Sequence, residues 1–134
     1  MNTLFAPENI RRGGIVLIAL TGLIHLVLTP EYWEFAPYLG VLFLANAVGA
    51  GVSAYGIYRG ERSWGWPLGL LIAGGALVMF VISRLVGLPG IPEEEYLEGF
   101  RGFTAVGIGT MIIEILFIVL FFLAIEGLRR TGQA

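Results

Sequence analysis

GFTAVGIGTMIIEILFIVLFFLAIE, running from Gly102 to Glu126, decides the fold. It is 25 residues of apolar sequence interrupted near its middle by one carboxylate, Glu114. About 20 helical residues at ~1.5 Å each cross the ~30 Å hydrocarbon core of a bilayer, so this stretch is a complete transmembrane helix. A charge at its centre costs roughly 2.5–3.5 kcal/mol on insertion scales, and intramembrane carboxylates face a protein interior or a watery cavity rather than lipid. A single stretch thus points to an architecture and to a place where chemistry can occur.

Three more apolar stretches precede it: Gly13–Thr29, Phe35–Tyr58 and Gly65–Val86. Of the 134 residues, 57% are hydrophobic and 13% charged, and the mean hydropathy is +0.84. No segment alternates apolar and polar residues as a membrane β-barrel requires. The prediction is one all-α domain, a polytopic membrane protein of four transmembrane helices with the lipid bilayer as its main partner. Arg11 and Arg12 precede the first span as they would in a signal peptide. However, Thr29-Pro30-Glu31-Tyr32-Trp33 offers no small-x-small cleavage site, so the span is read as retained. Thr29-Pro30 reads as a helix cap with a proline at the first position of a new helix. Pro37 and Pro67 sit near the starts of the second and third spans. Gly87-Leu88-Pro89-Gly90-Ile91-Pro92 is a breaker cluster opening an outer loop or short helix over residues 87–101. There Glu93, Glu94 and Glu95 suit a helix N-terminus. Spans joined by such short loops make antiparallel neighbours, hence an up-down-up-down bundle.

The arginines orient it. Arg11, Arg12, Arg59, Arg62, Arg129 and Arg130 lie at the chain ends and in the second loop. The first and third loops carry Glu31, Glu34, Glu93, Glu94, Glu95 and Glu98, opposed there by Arg101 and the span-end Arg84. The positive-inside rule then predicts both termini in the cytoplasm. Tyr32, Trp33, Phe35 and Tyr38 would mark the outer interface, and Tyr58, Trp64 and Trp66 the inner one.

The residue inventory excludes several chemistries. With no cysteine, one histidine and three methionines, the chain has no thiol redox centre, thiolate metal site or bis-histidine haem of its own. It gives no indication of a metal or cofactor. There is no basic patch beyond the topology-setting arginines, so nucleic acid is not a partner. No nucleophile–base pairing or metal-ligand spacing marks an enzyme.

Counting depth from the span starts places Asn46 and Glu114 in one layer near the bilayer centre. The first span offers Thr21 and Gly22 there, and the third Gly74-Gly75-Ala76, which has almost no side-chain bulk. Thr104, Gly107, Thr110 and Glu114 share one helix stripe, Asn46, Gly49 and Ser53 a second, and Thr21 and His25 a third. Polar stripes turn from lipid and should converge inside the bundle. Two readings of Glu114 follow. It is either a structural hydrogen-bonder, worth ~0.6 kcal/mol, or a titratable site that binds a polar or cationic ligand or relays protons. His25, one turn below Thr29, reads as an interfacial anchor, with a ligand or base as the alternative; the candidate ligand- or proton-binding residues are Glu114, Asn46, Thr110, Thr21, His25 and Arg84. Arg84 reads as snorkelling outward to Glu93–Glu98 or lipid phosphate; the alternative, swinging inward to Glu114, means crossing ~13 Å and needs a fourth helix that starts later.

Small residues form two ladders, Ala45-Gly49-Ser53 and Gly65-Gly69-Ala73. Such ladders let helix backbones approach closely. They fit packing within one chain or a homo-oligomer interface.

The strings Ile24-His25-Leu26, Pro37-Tyr38-Leu39-Gly40-Val41-Leu42-Phe43-Leu44 and Ser83-Arg84-Leu85-Val86-Gly87-Leu88-Pro89-Gly90 resemble a group of small four-helix prokaryotic integral membrane proteins, uncharacterised as to activity. The resemblance implies a prokaryotic cytoplasmic-membrane setting and assigns no site. The small multidrug resistance transporters are similar in length and helix count, but their essential glutamate is on the first helix, where this chain has none in its apolar span. Three function classes remain: a bundle binding or transporting a small ligand through Glu114 and Asn46, a non-catalytic accessory or scaffold subunit docked by its ladders, and, last, an intramembrane enzyme.

Overall fold

The computed structural model describes residues 6–91 and 105–130. Four helices account for nearly all of them: α1 (Pro7–Phe35), α2 (Pro37–Tyr58), α3 (Gly65–Leu85) and α4 (Ala105–Arg130). Each is long and apolar enough to cross a membrane. The exteriors carry Leu23, Val27, Val48, Leu71 and Phe122, all exposed, while Thr21, His25, Ser53, Ser83 and Glu114 are buried. Apolar outside and polar inside is the arrangement lipid selects. The chain is a small multi-pass integral membrane protein. Glu93–Glu98, Arg101 and the Gly102–Thr104 start of the fourth expected span lie outside the described residues.

The first helix differs from expectation. Thr29-Pro30 does not cap it; α1 runs through Pro30 to Phe35, 29 residues in all. A proline inside a helix withholds one N–H and crowds the carbonyl four residues back. In membrane helices nearby hydroxyls and neighbouring helices relieve that deficit. Here Thr29 Oγ1 donates to the His25 carbonyl at 2.7 Å, one residue before the Leu26 carbonyl that Pro30 leaves without its helical N–H. The chain breaks instead at Ala36, extended at φ −162° and ψ 132°, the region imposed on a residue before proline. Pro37 then opens α2, where a missing N–H costs nothing. Glu31 therefore belongs to the last turns of α1, not to a loop.

Contact pairs show the directions. Arg11 reaches the Ile57 and Tyr58 carbonyls, the His25 ring meets Phe43, and Trp33 meets Gly40, so α1 and α2 run antiparallel. Gly56 lies against Gly65 and Asn46 against Ile72, so α2 and α3 do too. Phe117 of α4 packs on Trp66 and Gly69 of α3, and Leu120 packs on Gly13 of α1, completing a four-helix ring.

Both small-residue ladders are used inside this ring. A Cβ on Gly65 would stand 2.8 Å from the Gly56 carbonyl carbon, and one on Gly69 would press into the Phe117 ring. Ser53 Oγ donates to the Gly65 carbonyl at 2.7 Å. The bundle is consequently solid at the end marked by Arg11, where Ile18, Ala50, Ile57, Trp66, Ala73, Phe117 and Phe121 form one cluster. Towards Ala36 it is hollow.

Candidate functional site

The hollow is a cavity of about 530 Å³ lined by all four helices. Its size is that of a site for a small organic ligand. One turn along α4 from Phe117 brings Glu114; one turn along α3 from Gly69 brings Ile72, whose carbonyl accepts from Asn46 Nδ2 at 3.5 Å. Glu114 and Asn46 thus share the layer that depth counting assigns them, and both line the cavity. Thr110, one turn further along α4, lines it too. Room in this layer comes from α3. Gly75 and Ala76 line the cavity, and a Cβ built on Gly75 meets nothing within 4 Å.

The extension of α1 changes the register of its polar residues by a turn. His25 is not near a helix end but ten residues inside Phe35. It is 8% exposed, tilts against Phe43 with 4.9 Å between ring centroids, and lines the cavity. Its Nδ1 lies 2.8 Å from the Thr21 carbonyl. A carbonyl oxygen only accepts, so Nδ1 carries the proton and Nε2 of the neutral ring is an acceptor. Thr21 moves the other way. It is 0% exposed, beside a Gly22 that meets Ala47 and Ala50, and is not among the cavity residues. The expected partner of Glu114 on the first helix is Thr21; the residue that shares its cavity is His25.

Arg84 also departs from the outward path. Its guanidinium lies over the Phe80 ring at 4.4 Å, NH1 donates to Ser83 Oγ at 3.3 Å, and the side chain lines the cavity with Glu31 and Tyr32. The long arginine stem folds back along its own helix, gaining aromatic contact for the cation. Sequence reasoning misses Glu31 and Tyr32 as site residues because it ends the first helix at Thr29. The Ala36-Pro37 pair is the signal that could find them. Arg11 is missed as well: its guanidinium donates to the Ile57 carbonyl at 3.3 Å and to that of Tyr58, satisfying the carbonyl end of α2.

The chemistry of the cavity floor is one-sided. Glu114 is 2% exposed and has no hydrogen-bond or ion-pair partner among the described residues. Asn46 spends Nδ2 on Ile72 and leaves Oδ1 unpartnered. Thr110 donates its hydroxyl to the Val106 carbonyl at 2.7 Å. Each group has committed a donor and kept an acceptor, or, like Glu114, holds oxygens without a partner. Around them Leu28, Leu39, Leu42, Ile72, Met79 and Met111 make the walls apolar.

Fold and site together define a helical membrane protein with a polar pocket at the middle of its bundle. No family model, curated protein or solved structure matches the chain, so the site is read on its own chemistry.

Proposed function

We propose that this protein binds or transports a small polar, cationic or lipophilic ligand through its mid-membrane site, with Glu114, Asn46, His25 and Thr110 at the floor and Arg84 at the rim. The observation that carries this reading is Glu114: a carboxyl group 2% exposed, unpartnered, in a cavity of about 530 Å³ with apolar walls. A purely structural carboxyl would be joined to a neighbouring helix, because buried polar groups without partners are costly. Both small-residue ladders make contacts within the chain, which supports this reading over an accessory subunit docked by them.

The arginine distribution supports a cytoplasmic location for both termini in a prokaryotic cytoplasmic membrane, with the Ala36 end outward. The packed half then faces the cytoplasm. A ligand reaches the floor from the outer side or laterally from lipid, and transport requires the Trp66–Phe117 layer to part.

Native mass spectrometry of protein extracted in mild detergent tests the reading. Wild type should carry a small bound molecule that Gly75→Phe, which fills the cavity, displaces. An identical complement of bound mass in both proteins would sink it. The same spectra report whether the particle is a monomer, a homodimer, or bound to other proteins.

A further inference from the structure

The class of ligand can be narrowed, on the condition that the cavity binds one as proposed above. Among the described lining residues, the titratable or charged groups are His25, Glu31 and Tyr32 on α1, Arg84 on α3 and Glu114 on α4; α2 supplies none. At the rim Glu31 and Arg84 bring opposite charges. At the floor Glu114 has no counterpart. The Arg84 guanidinium lies over Phe80, eight residues along α3 from the Ile72 layer, about 12 Å away.

Hydrogen-bonding capacity at the floor is equally lopsided. His25 has used Nδ1 on Thr21, Asn46 has used one of its two Nδ2 hydrogens on Ile72, and Thr110 has used its hydroxyl on Val106. What remains is one N–H of Asn46 against His25 Nε2, Asn46 Oδ1, the Thr110 oxygen and the Glu114 carboxyl oxygens, acceptors on three helices that outnumber the one donor. A ligand that satisfies them must donate.

We infer that the ligand is a lipophilic monocation with N–H donors, a protonated primary or secondary amine, whose ammonium group rests on Glu114 and whose apolar body lies among Leu42, Phe43, Met79 and Phe80. The rings of Phe43 and Phe80 line its path, and aromatic faces attract cations. A carboxyl group buried this deep is neutralised by its own proton or by a bound cation, since an isolated buried charge is too costly. The two occupants compete. Binding one ammonium ion displaces one proton from the carboxyl, and the total charge of the cavity is unchanged.

Three probes of one shape separate the cases: 4-phenylbutylamine, 4-phenylbutyltrimethylammonium and 4-phenylbutanol. Their binding to the full chain in lipid nanodiscs is measured by calorimetry in two buffers of different ionisation enthalpy, with empty nanodiscs as reference. The amine should bind at least ten-fold tighter than the alcohol and release one proton per site, and the trimethylammonium ion should bind more weakly than the amine. Glu114→Gln should lose the preference, binding amine and alcohol with equal affinity and releasing no proton, and Glu114→Asp should keep it. If wild type binds alcohol and amine equally, or takes up the amine without releasing a proton, the cation inference falls and the ligand-binding reading stands. If all three bind with equal affinity to wild type and to Gly75→Phe, binding is not in the cavity and both fall.

Discussion

The same four helices build two unlike halves. Towards Arg11, Gly65 lets α3 meet the backbone of α2, Gly69 seats the Phe117 ring of α4, Phe117 stacks on Trp66 with 5.4 Å between centroids, and Arg11 closes the carbonyl end of α2. Towards Ala36, glycines serve the opposite purpose: Gly75 borders a cavity and a Cβ there meets nothing within 4 Å. A glycine facing a bulky partner removes distance, and a glycine facing only other small or distant groups leaves a void. Glu114 and Phe117, one turn apart on α4, sit on the two sides of that boundary.

If the halves differ in this way, substitutions should sort between them. Phe117→Ala empties the centre of the packed half, where the ring is 0% exposed. It should cost about 3 kcal/mol in unfolding free energy measured in detergent micelles, the largest effect here. Gly69→Ala places a methyl group 2.6 Å from Ser53 Oγ and closer still to the Phe117 ring, and should cost about 1–3 kcal/mol through overpacking. Its counterpart, Gly75→Ala, should be neutral or stabilising by up to about 1 kcal/mol, because only helix propensity changes. Equal costs at the two glycines would erase the distinction between the halves. Ser53→Ala removes the bond to the Gly65 carbonyl and should cost about 0.6 kcal/mol, the average for interhelical hydrogen bonds in membranes. Glu114→Gln should change stability least, within about 0.5 kcal/mol, because its carboxyl holds nothing in place. A loss as large as that of Phe117→Ala would make Glu114 a structural member and remove it from the site.

Much of the site is legible in the sequence. Asn46, Thr110 and Glu114 can be placed in or next to one layer because helical rise converts residue counts into depth, and Gly75-Ala76 can be read as hollow from side-chain size. His25 is misplaced by such counting because its depth depends on where α1 ends, and Pro30 misdirects that boundary. Arg84 escapes it because a long flexible stem has several destinations, and contact with Phe80 decides among them.

By itself the sequence determines four membrane-spanning helices, their approximate bounds and a carboxyl group too deep to face lipid. Hydropathy is a local, additive property, and every residue votes independently. Only the tertiary structure decides that α1 passes through Pro30, that His25 rather than Thr21 joins Glu114, and that the ladders pack within this chain. Those outcomes depend on whether neighbouring helices supply hydrogen bonds and fill volume. A void is the difference between several surfaces, and no single helix encodes it.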